Sequence, residues 1–378
     1  MGVSGDSKGP RVFVSGAGYA CAPLDGSGIR PDARLGGMLS ARLEVAPLPG
    51  ESRLAALARC AAERALDAAG NLAVLEPAEK GVYVSTSKGG IEAFSGESPE
   101  LGPFLERYVS GGPGQDLRAR LGWTGPGRNT PLACATGAYS IGLAFEDMRL
   151  GRISAAIAGA AEASLTPLIA AAFGRLGALT SARALEDYRG PFDRDRAGFV
   201  LGEAGAALVL ESEASLKRTG HRPLAELKGW ACTCDAWHLT APLPGGEQAA
   251  RCLSEALKMA GLPPREVAYL NAHGTGTLAG DLAEAAALKR VFGDALPRIS
   301  SIKGATGHTL GASGALEAAV TVQALAQGKL PANVGCRQAM PELARALVLE
   351  GESLKGTVAV SLNMGFGGHN VALVFGRA

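Results

Sequence analysis

The 378-residue sequence predicts an α/β fold of two similar βα halves, on three observations. Apolar runs of strand length alternate with helical stretches, the arrangement of βα units on buried sheets. The order of these runs repeats once along the chain, the mark of an internal duplication. Hydrophobic residues make up 47% of the chain but aromatics only 5%, with 53 glycines, a balance suited to a sizeable core of close-packed helices and tight turns.

Taken in order, residues 11–15 read as a strand ending in a glycine turn, residues 53–70 as a helix and residues 81–85 as a second strand. The second half echoes this with a strand at 224–229, a helix at 247–261 and a strand at 267–271; both helices carry an Ala-Arg-Cys sequence. Ala135-Thr136-Gly137 opens a helix to Leu150, with Ile141, Leu143, Ala144 and Met148 at helical spacing. Ala305-Thr306-Gly307 opens an equivalent run through Ala326. Each half closes on a β-rich segment, residues 206–210 and 371–375, and the whole pattern predicts largely parallel sheets. The charged stretch 211–223 marks the junction between an N-terminal half, residues 1–220, and a C-terminal half, residues 221–378. Residues 23–49 read as loop, and residues 111–131, dense in Gly and Pro, as a long surface excursion.

Composition removes several function classes. Lys and Arg total 37 against 36 Asp and Glu, so the net charge of +1 lacks the basic excess of a nucleic-acid binder. Glu162 interrupts the apolar stretch 153–173 and Glu203 the stretch 199–210, so neither supplies the roughly 18 uninterrupted apolar residues of a membrane span. The polar opening, residues 1–11, has no secretory signal, and seven scattered cysteines make no disulfide framework. A soluble, cytoplasmic protein is the expectation.

The chemistry gathers at three turns. Cys134, in Pro-Leu-Ala-Cys-Ala-Thr-Gly, is delivered to a helix start, where free N–H groups and the positive helix end favour thiolate. His273 ends a strand in Asn-Ala-His-Gly-Thr-Gly-Thr, and His308 lies in a strand-to-helix turn. Ligand sites of α/β sheets collect at such carboxyl ends of strands. Cys232-Thr-Cys234 lacks the second half of a zinc site, and His221 and His238 read as surface or loop residues. Gly16-Ala-Gly18 ends in Cys21 where a dinucleotide loop needs Gly or Ala, and no phosphate-binding loop, H-E-x-x-H or G-x-S-x-G is present. The residues alone point to a Cys/His acyl-transfer enzyme.

These motifs resemble the β-ketoacyl-[acyl-carrier-protein] synthases, elongating ketosynthases of the thiolase-like superfamily. The resemblance covers nearly the whole chain and is strongest from Cys134 onward. It implies a five-layered αβαβα arrangement, Cys134 as nucleophile, and His273 and His308 as the active-site histidines. Lys303 and Glu317 match buried charged positions beside the second histidine, where Lys303 orients it or the two form a structural ion pair. Phe366, in Gly-Phe-Gly-Gly, resembles the gating phenylalanine, Phe173 an acyl-pocket residue, and Asp235 a loop that moves with the gate. Thr275 and Thr277 match positions that bond a phosphopantetheine arm. The implied reaction is decarboxylative Claisen condensation of a Cys-bound acyl group with a malonyl thioester, in fatty acid or polyketide synthesis, with no metal or cofactor.

The implied partners are acyl-carrier protein, whose acidic surface calls for local Arg and Lys, with Arg118, Arg120, Arg128 and Lys88 read either as contributors or as parts of a solvated face, and a second subunit, in a homodimer or a heterodimer with a chain-length-factor-like chain. The sequence departs from the pattern in places. Cys134 comes early, implying shortened segments around 23–53 and 98–125. His369 stands where relatives have Thr, and Leu362-Asn363-Met364 replaces Asn-Ser-Phe before the gate. Two other functions stay open: a non-condensing partner subunit, and an acyltransferase using Cys134 on a non-malonyl acceptor.

Overall fold

A computed structural model describes residues 9–94 and 112–378. Nine strands form the main sheet: β1 (Val12–Ala20), β2 (Lys80–Ser85), β3 (Ala155–Glu162), β4 (Ala204–Ser212), β5 (Ala225–Cys234), β6 (Val267–Asn271), β7 (Arg298–Ser300), β8 (Val358–Gly365) and β9 (His369–Arg377). The principal helices are α1 (Arg53–Ala69), α2 (Gly112–Leu121), α3 (Thr136–Arg149), α4 (Pro167–Arg175), α5 (Glu247–Ala260), α6 (Leu278–Phe292) and α7 (Ser313–Gln327).

The strand order is β7-β6-β8-β9-β5-β1-β4-β3-β2, and it contains the duplication. In the first half β2 and β3 are parallel, while β4 is antiparallel to both β3 and β1. In the second, β6 and β8 are parallel, while β9 is antiparallel to both β8 and β5. β7 extends the second half, parallel to β6. The sheet is therefore mixed, against the largely parallel expectation. The reason is local: a three-residue turn joins β8 to β9, and a connection that short can only reverse the chain.

Among the described residues the half-sheets meet where Val12–Val14 pair with Ala225–Leu227, and they enclose α3 and α7 between them. α1 covers the outer face of the first half and α5, with α6 against it, the outer face of the second. These are the five layers αβαβα. A side chain on Gly137 would lie 2.5 Å from the Ala315 nitrogen, and one on Gly314 2.6 Å from the Ala138 nitrogen, so the two central helices cross at matching glycines. The partner of Ala135-Thr136-Gly137 is thus Ala312-Ser313-Gly314, seven residues beyond the expected Ala305-Thr306-Gly307. That earlier tripeptide ends a single helical turn, Lys303–Thr306, and α7 begins only at Ser313.

Other boundaries shift for similar reasons. β1 continues through Gly16 and Gly18 instead of turning there, because a Cβ at either would strike the α1 backbone at Ala65. Residues 23–49 contain a hairpin, Ile29–Asp32 with Met38–Ala41, which pairs in turn with Leu201–Gly202. The expected excursion at 111–131 holds α2, whose Leu117 is buried, and residues 98–111 fall outside the described residues. No helix among the described residues is long and apolar enough to cross a membrane.

Candidate active site

Cys134 sits on a strained turn ahead of α3. Ala133 before it adopts φ +45°, and Thr136 ties the turn by accepting from Leu132 N at 2.7 Å and donating to the Ala133 carbonyl at 2.8 Å. A non-glycine residue in this region costs about 1–2 kcal/mol, which the surrounding packing must supply. Gly365, at the end of β8, comes so close that a side chain there would lie 3.3 Å from Cys134 N. This brings Phe366 N–H to the sulfur. Burial pushes the Cys134 thiol up, while Lys88, Lys303 and the Phe366 N–H pull it down. The resting group is a thiol, not the thiolate that a helix end alone suggests.

His273 follows β6, where two buried carboxylates from α6 grip its loop. Glu284 accepts from His273 N and Gly274 N, both at 2.7 Å. Asp281 accepts from Thr275 N at 3.0 Å and Gly276 N at 3.1 Å, and pairs with the buried Arg196 at 3.0 Å. Burial raises both carboxyls, Asp281 to about 6 and Glu284 to about 8. Lys303 donates to the His273 carbonyl, stands 3.3 Å from His273 Nδ1 and forms a buried ion pair with Glu317. Asn363 donates to the other oxygen of Glu317, whose carboxyl burial raises to about 7. The pair therefore braces His273, whereas the sequence placed it beside the second histidine; the reach of the lysine side chain decides this.

His308 is held as an extra strand residue beside Leu201, donating from its backbone to Val200 O at 2.7 Å and accepting from Gly202 N at 3.0 Å. Its Nδ1 accepts from Leu310 N at 3.3 Å and lies 3.0 Å from Ser313 Oγ. The Lys303 ammonium beside His273 Nδ1 and the Leu310 N–H donating to His308 Nδ1 both require that nitrogen to accept, so each neutral ring carries its proton on Nε2. Burial lowers both pKa values well below 6.5, with Lys303 adding to the effect, so both imidazoles are neutral. The rings stand 5.5 Å apart, edge to face.

A single cleft joins these parts. Cys134, His273, His308, Thr275, Thr277, Phe173, Phe366 and Asp235 all line it, leaving Lys303 and Glu317 one layer behind. What the arrangement offers is a nucleophilic sulfur, two imidazole N–H donors and a backbone N–H, all on one apolar cavity. Residues 52–215 match the family described as the beta-ketoacyl synthase N-terminal domain, and residues 224–337 its C-terminal domain.

The chain belongs to the β-ketoacyl synthase family. It is 39% identical to 3-oxoacyl-[acyl-carrier-protein] synthase 2 of Synechocystis sp., over 85% of this chain and 81% of that one. It is 38% identical to the enzyme of that name from Staphylococcus aureus, over 78% of this chain and 76% of that one. Among solved structures, the ishigamide ketosynthase/chain length factor matches with TM-score 0.87 and 30% identity, over 98% of this chain and all of that one. A complex of a type II polyketide synthase acyl-carrier protein with its ketosynthase bound to the hexaketide matches with TM-score 0.89 and 25% identity, over the same shares. The fold is the thiolase-like one, and the chain is a condensing enzyme.

Other side chains of this β-ketoacyl synthase complete the site around those motifs. Phe199 stacks on both Phe173 (5.6 Å) and His308 (4.9 Å). Asp281 and Glu284 stand three apart on the helix after the His273 motif, a spacing that puts both on one helical face and was readable as such. Phe366 lies 5.9 Å from Phe173. Asp235 accepts from Asn370 Nδ2 at 2.7 Å and Leu243 N at 3.0 Å, tying its loop to the Gly365–Gly368 turn. His369 packs at Gly367 and is not among the residues lining the cleft.

The residues expected to dock a carrier protein are mostly engaged elsewhere. Arg128 pairs with the buried Asp147 at 2.9 Å and Arg120 with Glu51 at 3.2 Å, while Arg118 packs on Gly127. Lys88 turns inward. His221, expected at the surface, is nearly buried against Glu211 at 2.7 Å.

Proposed function

We propose that this β-ketoacyl synthase extends an acyl group held as a thioester on Cys134, by decarboxylative condensation with a malonyl group on acyl-carrier protein. One observation carries the reading: the sulfur, two neutral imidazoles with Nε2–H and the Phe366 N–H share one cleft. Cys134 attacks the acyl thioester, and the carrier thiol leaves with the proton the cysteine gives up. The malonyl thioester enters on its phosphopantetheine arm, whose amides bond the Thr275 and Thr277 hydroxyls, 2.9 Å apart. Carbon dioxide departs, and the electron pair left behind forms an enolate whose oxygen accepts from the two Nε2–H groups. The enolate carbon attacks the acyl carbonyl, with its oxyanion facing the Cys134 and Phe366 N–H groups. Collapse expels the Cys134 sulfur as a thiolate, which takes a proton from water to return to the resting thiol, and frees a β-ketoacyl thioester two carbons longer. Every electron is accounted for without a metal or redox group, and Lys303 with Glu317 positions His273.

Phe366 and Phe173 gate the acyl site, with Asp235 coupling its loop to the gate. The working form is a cytoplasmic homodimer. A heterodimer with a chain-length-factor-like subunit is the other arrangement, and retention of Cys134 makes this chain its catalytic member. The halves of the chain, 1–220 and 221–378, each contribute, the first the cysteine and the second both histidines.

The test is intact-protein mass spectrometry with acyl-carrier-protein thioesters, comparing wild type with Cys134→Ala, followed by malonyl-carrier protein and assay of carbon dioxide. An adduct that needs Cys134 and clears with carbon dioxide release is expected. An adduct that never condenses makes the chain an acyltransferase, and no adduct at all makes it a non-condensing subunit.

A further inference from the structure

Three of the segments that line the cleft reach solvent beside it: the end of α4 with Phe173 and Ala178, the loop after β5 with Asp235, Thr240 and Pro242, and the turn into α6 with Thr275, Thr277 and Gly280. Each turns large apolar side chains into water. Leu176, Trp237, Leu239, Leu278 and Leu282 are 41–76% exposed, and each lies within two residues of one that lines the cleft. Leu278 and Leu282 stand four apart on α6 and so share one face. The Leu239 carbonyl accepts from Gly367 N at 2.7 Å, which fastens its loop to the Phe366 turn at the cleft wall. Exposed charge is scarce on these segments. Within residues 173–178, 235–242 and 275–282, Asp281 is buried on Arg196, and Asp235 accepts from Asn370 and Leu243 N. His238 accepts from Thr240 N and Ala241 N, which leaves Arg175 as the exposed charge.

A group of apolar side chains left in water marks an interaction face, and its place decides the occupant. A second copy of this chain held here would cover the mouth through which substrate reaches Cys134, His273 and His308. The occupant has to leave on each turnover, and the body that does so is the one that brings the thioester. With its arm in the cleft, the surface around the root of the arm rests on the mouth. We propose that acyl-carrier protein docks on Leu176, Trp237, Leu239, Leu278 and Leu282 by apolar contact, with Arg175 as the charged member, and not through a basic patch. The inference rests on the condensing reading above and adds the surface that receives its substrates. Docking by apolar area is nearly indifferent to salt, whereas docking by several exposed ion pairs weakens as salt screens them.

The test measures acylation of Cys134 by intact mass with hexanoyl-acyl-carrier protein and with hexanoyl-pantetheine, and reads the ratio of the two second-order rate constants. A partly unfolded variant lowers both rates alike and leaves that ratio untouched. Leu239→Gln combined with Leu278→Gln should lower the ratio about tenfold, as two buried interface contacts of a few-fold each would. Met at both positions should restore it. In wild type the ratio should change less than about threefold between about 0.05 and 0.5 M sodium chloride. A ratio that is equal in wild type and the Gln variant, or that falls about tenfold with salt, overturns apolar docking and leaves the acyl-enzyme intact. A Gln variant that loads from the carrier faster, and forms a smaller assembly by light scattering, gives the face to a second copy and overturns the proposal too. No Cys134-dependent adduct with either thioester overturns the docking and the condensing reading together.

Discussion

Burial acts on Cys134, His273 and His308 in opposite senses, because a thiolate and an imidazolium are both charged. The same apolar walls raise the thiol and lower the two imidazoles. Alkylation of Cys134 by iodoacetamide, followed by mass spectrometry, should therefore titrate above the ordinary thiol value of about 8.5. In Lys88→Met the midpoint should rise further, and an unchanged midpoint would show that the Lys88 charge does not reach the sulfur. The two histidines set a different pH effect. Below about 6.5 the unfolded chain takes up protons that the folded rings refuse, so their share of stability is present above that pH and lost as pH falls. Glu284 has the reverse sign. Its carboxyl, raised to about 8 by burial, keeps a proton that an unfolded glutamate releases near about 4.3, so stability falls as pH rises between those values. Urea midpoints of wild type should drop relative to Glu284→Gln by the equivalent of about 1 kcal/mol per pH unit from about pH 5.5 to 8. Parallel curves would mean that Glu284 is ionised throughout.

At the scale of elements, the site depends on how closely α3 and α7 approach. Cys134 lies just before one helix and His308 just before the other, so the glycine crossing sets their separation. A methyl on Gly314 would meet both Ala138 N and Asn363 Oδ1 at 2.6 Å, with backbone on one side and a buried amide on the other. Gly314→Ala should cost about 1–3 kcal/mol in urea unfolding and slow acylation, since overpacking here moves the Cys134 and His308 turns apart. Gly174→Ala is the contrast. That glycine is helical in α4 with open space around it, so the change should stabilise by about 0.4–1 kcal/mol. If the two variants destabilise alike, contact between α3 and α7 is not what the glycine protects. These elements also show what a sequence makes legible. Strand and helix cores, the duplication and the three reactive turns rest on local patterns and were readable. The true mate of Gly137 was not, because Ala305-Thr306-Gly307 copies the tripeptide locally while only packing identifies Gly314. Nor was the partner of Lys303, since two histidines lie within reach of one long side chain and only the fold says which is near.

The whole molecule is two similar halves with one interior between them. Along α7 every residue from Ser313 to Val322 is buried, and the helix touches β1, β3 and β4 of the first half as well as β8 and β9 of the second. Trp230 of β5 lies so close to α3 that a side chain on Gly142 would stand 2.1 Å from its ring. The largest apolar cluster accordingly mixes residues of both halves, among them Val14, Ile141, Leu208, Trp230, Leu316 and Leu373. A first half made alone would leave the inner faces of α3, β1 and β4 in water. Each large apolar side chain so exposed forfeits about 1.5–3 kcal/mol, so a few of them exhaust the 5–15 kcal/mol that holds a domain folded. Residues 1–220 and 221–378, expressed separately, should each lack a cooperative urea transition by circular dichroism. Produced together they should assemble, and acylation of Cys134 should appear only in the assembled pair, because one piece holds the cysteine and the other both histidines and the Phe366 N–H. A sharp transition in isolated 1–220 would make the halves independent domains, and the shared interior a docking surface laid over two complete cores.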